Sequence, residues 1–290
     1  MARAGGMMQE FRGKVAVVTG AGSGMGRAFA QRFAEESMRV VLADVELAAL
    51  ERAVSELRDA GHDVIGVHTD VSRRESVEHL AERAAEAYGN IHVLCNNAGV
   101  EGYLDGAIWE ASDNDWQWTM GVNFRSVVHG IQTFLPGMLA HGEEGHVVNT
   151  VSMTALVRGG NMYGIAKHAV LALSETMYAE LREREANIGV SALCPGIIAT
   201  RLFRGSRNRP AELQNATASP GASQGQEIRD RLDARLAQGM PPSQVADILF
   251  QAIRDDRFYV LTDHDWDDAI RSRNEDILLG RNPDLQVRGG

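Results

Sequence analysis

Lys14-Val15-Ala16-Val17-Val18-Thr19-Gly20-Ala21-Gly22-Ser23-Gly24-Met25-Gly26 runs from an apolar, β-branched stretch into a turn holding four glycines in seven residues. The apolar part shows no polar alternation, the pattern of a strand covered on both faces. An amphipathic helical pattern follows over residues 24–36. Glycines in such a strand–turn–helix unit allow a tight turn and close backbone approach. The N–H groups at the helix start then suit a pyrophosphate. The common dinucleotide spacing, Gly-x-Gly-x-x-Gly, fails: counted from Gly20 it ends on Met25, and from Gly22 on Arg27. Thr-Gly-x-x-x-Gly-x-Gly fits, at Thr19, Gly20, Gly24 and Gly26.

Outward from this unit the same alternation repeats. Short apolar runs at 39–43, 64–68, 91–95, 146–151, 188–194 and 258–261 are separated by helical patterns such as 46–60 and 72–88. Repeated strand–helix alternation predicts an α/β fold: one doubly wound parallel sheet of about seven strands, with helices on both faces. Residues 1–290 are expected to form a single domain without internal repeats. Residues 203–238 break the rhythm with a polar run carrying a charged helical pattern at 226–236; so long a connection is expected to be a mobile substrate lid. Residues 263–290 are expected to be a short helix and a polar tail.

Composition narrows the class. The chain has 290 residues, 44% of them hydrophobic and 23% charged, which excludes wholesale disorder. Its net charge of −10 and lack of a basic patch argue against nucleic acid as the main partner. No apolar run is long enough for a membrane span, and the first residues lack the apolar core of a signal peptide, so a cytoplasmic protein is expected. Two cysteines, Cys95 and Cys194, cannot build a disulfide framework; they end strands that a further strand should separate, and are expected to be buried thiols.

Two further positions carry chemistry. Asp44 ends the second predicted strand, eighteen residues beyond Gly26, where a carboxylate accepts hydrogen bonds from adenosine ribose hydroxyls and repels a 2′-phosphate. No Arg or Lys stands at Ser23, Ala43 or Val45 to reverse that preference, so NAD is expected over NADP; a mere helix cap is the bland alternative. Tyr163 and Lys167 lie four apart on a predicted helix and share a face. A phenol with a pKa near 10 needs about 4 kcal/mol of differential stabilisation to work near neutrality, which a close ammonium and a cationic nicotinamide can supply.

The ordered set Thr19-Gly20…Gly26, Asp70-Val71, Asn96-Asn97-Ala98-Gly99, Asn123, Ser152, Tyr163…Lys167 and Pro195-Gly196 resembles the short-chain dehydrogenase/reductase family, in its short single-domain branch, over residues 13–261. The resemblance implies an oxidoreductase interconverting a secondary alcohol and a ketone with NAD. It implies Tyr163 as catalytic acid/base and Lys167 as the group that holds the nicotinamide ribose and lowers the Tyr163 pKa. Ser152 would bond the reacting oxygen, and Asn123, on the long helix after the fourth strand, would hold a water relay to Lys167. Gly20, Ser23, Gly24, Met25 and Gly26 would form the phosphate turn. Asp70 and Val71 would lie at the adenine, and Asn97, Ala98 and Gly99 would line the channel. Pro195, Gly196, Ile198 and Thr200 would lie along the nicotinamide. A homotetramer or homodimer through the helices bearing Asn123 and Tyr163 is implied too. One departure stands out: Ser152 and Tyr163 are eleven residues apart, two fewer than is common in the family, with Gly159-Gly160 in the shortened loop.

Other features take plain interpretations. The acidic stretch 262–268 around His264 is expected to cap a helix rather than to hold a metal, and no metal site is expected. Asn215-Ala216-Thr217 matches a glycosylation sequon by accident. Trp109, Trp116 and Trp118 could line a pocket, a subunit contact or the core. Met153, Leu156, Val157, Met162 and Phe203 hint at an apolar substrate. The competing functions are an NADPH-dependent ketoreductase and a nucleotide-binding regulator that keeps the fold without turnover; the presence of all four of Asn123, Ser152, Tyr163 and Lys167 favours the enzyme.

Overall fold

The computed structural model describes residues 8–158, 160–216, 219 and 221–283. Its strands are β1 (Val15–Thr19), β2 (Arg39–Asp44), β3 (Val64–His68), β4 (Val93–Asn96), β5 (Gly145–Thr150), β6 (Ile188–Cys194) and β7 (Tyr259–Leu261). They form one parallel sheet in the order β3-β2-β1-β4-β5-β6-β7. The order reverses between β1 and β4, and the crevice at their carboxyl ends is the place where such sheets take ligands.

The helices are α1 (Gly24–Glu35), α2 (Leu47–Asp59), α3 (Arg74–Tyr88), α4 (Asp113–Met120), α5 (Ser126–His141), α6 (Met162–Glu183), α7 (Ala222–Leu236), α8 (Pro242–Arg254) and α9 (Asp267–Leu278). Each strand feeds two cores. Ala16, Val18, Val40, Leu42 and Cys95 pack with Phe29 and Phe33 of α1, Leu50 of α2 and Leu249 and Phe250 of α8. Val15, Val17, Val41 and Leu94 turn the other way, against Leu80 of α3, Phe134 and Met138 of α5 and Met177 of α6. This two-sided burial explains why β1 carries no polar alternation. A buried polar chain, Asn96 Nδ2 to Asn149 Oδ1 (2.9 Å) and Asn149 Nδ2 to Ser174 Oγ (3.0 Å), ties β4, β5 and α6 together.

Several expectations are refined. The long helix expected after the fourth strand is interrupted by a π turn at Gly121–Arg125, which holds Asn123 between α4 and α5. Cys95 and Cys194 are free, buried and separated by β5. Trp118 is buried, whereas Trp109 is 84% exposed. Met153, Val157 and Met162 are buried and do not line the pocket described below. Residues 202–236 hold two short 3₁₀ turns, Leu202–Asn208 and Ala211–Leu213, before α7. Among the described residues no helix is long and apolar enough to cross a membrane, and no group of three or more His, Cys, Asp or Glu could hold a metal ion. His264 instead pairs with Asp267 at 3.2 Å. Gly159, Thr217 and the end of the tail, 284–290, lie outside the described residues.

Candidate active site

The β1–α1 turn is held from below by side chains. Thr19 Oγ1 donates to the Cys95 carbonyl (3.2 Å) and accepts from the Asn97 N–H (2.9 Å), while Asn97 Nδ2 donates to the Thr19 carbonyl (2.9 Å). The ends of β1 and β4 are thereby fixed to each other at the switch point. Gly20 and Gly24 have φ of +66° and +54°, a region where L side chains are strained. A Cβ on Gly26 would lie 2.2 Å from the Gly20 carbonyl oxygen and 2.7 Å from Asn97 Nδ2, so only glycine lets α1 start this close to the strand end. Ser23 occupies the N-cap of α1 but makes no side-chain cap bond. The first N–H groups of α1 are therefore not claimed by their own cap.

A pocket opens above this turn. It is lined by Gly20, Ser23, Gly24, Met25, Asp44, Asp70, Val71, Asn97, Ala98, Gly99, Tyr163, Lys167 and Thr200, all expected from the sequence. It is also lined by residues that sequence reasoning missed. Val100, Val122 and Leu202 join Trp118, one of whose expected places was a pocket wall, in an apolar wall, and Glu46, Arg201, Arg207 and Asn208 line the pocket with Asp44. The two arginines revise the argument that no cation stands near Asp44, because the chain returns them from beyond β6. Asp44 itself serves both interpretations: its carboxylate accepts from Gly22 N–H (2.8 Å) and from Glu46 N–H at the start of α2 (2.9 Å), and it faces the pocket. Asp70 is held by Ser72, whose N–H and Oγ donate to Oδ1 at 3.0 and 2.7 Å.

Other expected residues stand behind the wall. Gly26 supports the turn. Ile198 is buried in the core with α8. Gly196 donates its N–H to Thr262 Oγ1 (3.0 Å), and a Cβ there would strike Asp263 Oδ2. Pro195 gives its carbonyl to the Met153 N–H (3.0 Å). Asn123 is fully buried and spends both ends of its amide on Val100, accepting from its N–H and donating to its carbonyl, each at 2.9 Å. The two bonds fix the amide against Val100 and commit one of its two N–H donors and one of its two acceptor sites.

Tyr163 and Lys167 are set by the start of α6. Asn161 Oδ1 caps the helix by accepting from Gly164 N–H (3.0 Å), which puts Tyr163 in the first turn, where the helix dipole favours negative charge. Lys167 follows one turn later, buried, with Nζ 5.5 Å from the Tyr163 ring centroid and donating to the Thr150 carbonyl (2.7 Å). Ser152 hydrogen-bonds Tyr163 and accepts from Thr154 N–H at 3.2 Å. The shortened 152–163 connection therefore still brings Ser152 and Tyr163 together.

The protonation picture differs from expectation. Burial pushes the Tyr163 phenol up to about 12, and the Ser152 hydrogen bond pulls it the other way. Burial also brings the Lys167 ammonium down to about 8. With Nζ turned to Thr150, Lys167 does not by itself bring the phenol toward neutrality.

These residues fit a nicotinamide dinucleotide. The glycine turn leaves room for close backbone approach, α1 offers N–H groups, and Asp44, Tyr163 and Lys167 line the same pocket.

Comparison with known proteins agrees. A family model described as short chain dehydrogenase matches residues 14–211. A crystal structure of a short chain dehydrogenase/reductase from Burkholderia phymatum in complex with NAD is 44% identical, covers 97% of this chain and 99% of its own, and superposes with a TM-score of 0.91. A "CLA biosynthesis dehydrogenase/reductase" from Lactiplantibacillus plantarum is 30% identical over 289 residues, 98% of this chain and 99% of its own. An actinorhodin polyketide ketoreductase variant with NADPH is 28% identical, with 88% of this chain and 97% of its own covered and a TM-score of 0.70.

Proposed function

Because the chain belongs to the short-chain dehydrogenase family, an oxidoreductase family, we propose that it interconverts a secondary alcohol and a ketone with NAD as the preferred cofactor, using Tyr163 as acid/base. The observation that carries this reading is that Tyr163, hydrogen-bonded to Ser152, and Lys167 line the same pocket as the glycine turn and Asp44.

A nicotinamide dinucleotide held along 20–26 and 97–99 would supply, in its oxidised form, a hydride acceptor at the ring C4 and a positive charge. The chain's own groups do the rest. Ser152 holds the alcohol oxygen, and Tyr163 takes its proton as the carbon is oxidised; in the reverse direction Tyr163 returns that proton to the forming alcohol. Three influences offset the burial of the phenol: its place in the first turn of α6, the ammonium of Lys167, and the cationic ring. Lys167 also stands where a ribose hydroxyl would lie. Val100, Trp118, Val122 and Leu202 favour an apolar substrate, with residues 203–238 serving as its lid. A homodimer or homotetramer through α5 and α6 is part of the same reading, supported by the exposed Leu139 and Ile165 on those helices.

NADPH-dependent ketone reduction is the second reading, favoured by one observation: Arg201 and Arg207 stand at the rim beside Asp44. The test is direct. Tyr163→Phe is expected to lose about 10³-fold in turnover while binding NADH within twofold of the wild type. Equal turnover would remove Tyr163 from the mechanism. Fluorescence titration of the wild type with NADH and NADPH separates the two cofactor readings, because the first requires clearly tighter NADH.

A further inference from the structure

Asp44 and Glu46 share the pocket rim with Arg201 and Arg207, two acids against two cations. Asp44 is pinned by the N–H groups of Gly22 and Glu46 and has no freedom to swing aside. Glu46 faces the segment that returns over the pocket: its Oε1 accepts from Arg207 Nη2 and from Asn208 Nδ2, the latter at 2.9 Å. Arg207 is held at its other end too, where Nη1 donates to the Arg204 carbonyl. We infer that Glu46 sets the cofactor preference of this pocket at second hand, by keeping the Arg207 guanidinium occupied and so denying it to a 2′-phosphate. The inference rests on the reading above, that the pocket takes a nicotinamide dinucleotide with its adenosine ribose at Asp44.

The physical argument is one of charge and occupancy. A phosphate at the ribose needs a cation whose donors are free, because guanidinium–phosphate recognition depends on parallel N–H bonds. Arg207 lies along the pocket but commits one N–H of Nη2 to Glu46 and one of Nη1 to the Arg204 carbonyl, so both ends of its fork are engaged. Removing the Glu46 charge changes the rim from balanced to one net positive charge and frees one edge of the guanidinium. Helix α2 does not depend on the Glu46 side chain for its start: Glu46 stands at the N-cap but makes no side-chain cap bond, and its N–H and carbonyl do the local work. Burial raises the Glu46 carboxyl, but Asn208, Arg207 and the charge of Arg201 together hold it below the ordinary carboxylate range, so it is ionised at neutral pH.

The experiment is a fluorescence titration of purified wild type, Glu46→Gln and the double variant Glu46→Gln/Arg207→Gln, each with NADH and with NADPH at low and high salt, alongside thermal midpoints. Glu46→Gln is expected to bind NADPH about tenfold more tightly than wild type, to move by less than twofold for NADH, and to lose the gain at high salt. The double variant is expected to return NADPH affinity to the wild-type level. A Glu46→Gln variant of wild-type thermal midpoint that prefers NADH unchanged, or a gain that persists without Arg207, would overturn the inference and leave the cofactor reading intact. A wild type that binds neither dinucleotide would instead break the reading on which it rests.

Discussion

The glycine turn and the returning segment 202–236 face each other across the pocket, and they are held by different forces. The turn is fixed by backbone packing and short buried bonds: Thr19 to Cys95 and Asn97, and Gly26 against the Gly20 carbonyl. The segment is fixed by charge. Arg207 meets Glu46, Arg209 meets Asp115 at 2.7 Å, and Arg229 meets Asp105 at 2.7 Å, with Glu101 accepting from the Ser206 N–H at 3.1 Å. The contacts of the turn involve no ion pair, whereas the more exposed pairs of the segment, Arg207–Glu46 first, are open to screening by salt.

The comparison can be broken at several points. The largest effect is expected at Gly26. Gly26→Ala places a methyl against a carbonyl packed at the end of β1, and should cost about 3 kcal/mol, with Tm lowered by about 5 °C and NADH binding lost. Differential scanning calorimetry and titration measure both; a wild-type Tm would show that the turn is softer than its contacts say.

Acid should reach the sheet in a second way. His146 on β5 is fully buried, and burial with the nearby Arg182 charge brings it down to about 3. Ser191 Oγ spends its proton on the Arg257 carbonyl (2.7 Å), so His146 Nε2 donates to that Oγ (2.8 Å) and the ring is neutral. The unfolded histidine titrates near 6.5, so between about 6.5 and 3 the unfolded chain binds the extra proton. Stability is then full above about pH 6.5 and falls as pH falls, by up to about 1.4 kcal/mol per unit from this one group. His146→Leu should flatten that slope in urea melts between pH 4 and 6; an unchanged slope would place the titration elsewhere.

The charged wall should give smaller, salt-linked effects. Arg209→Ala removes the partner of the buried Asp115 and is expected to cost about 1–2 kcal/mol locally. Faster proteolysis within 202–236 at low salt, with the Tm of the sheet unmoved, is the outcome that sharpens the contrast; a fall in Tm equal to that of Gly26→Ala would erase it. The smallest effect belongs to a pair in neither wall. Arg74→Ala, which breaks the exposed Arg74–Glu78 pair on α3, should change stability by less than about 0.5 kcal/mol.

How much of this was legible beforehand follows from the range of each signal. Strand β1, the glycine turn, the acidic end of β2 and the Tyr163–Lys167 face are all short-range patterns, and each occupies the place its spacing implies. The π turn at Asn123 was not legible, because a one-residue widening leaves no mark in the apolar period. The pairing of the Asn123 amide with Val100 was not legible either, because the two are 23 residues apart and no local pattern links them. Met153, Val157 and Met162 looked like a substrate wall for a similar reason: apolar residues near a site have the same spacing whether they face the ligand or the core.

The sequence by itself determined the alternation of strands and helices, the doubly wound sheet and the crevice at its switch point, since buried strands and amphipathic helices are specified by neighbours a few residues away. Tertiary structure alone decided what closes that crevice. Glu46 and Arg207 are 161 residues apart, and no periodicity links them. They meet because the crossover after β6 carries the chain back over the carboxyl ends of β1 and β2, where the charge on one surface finds its complement on the other.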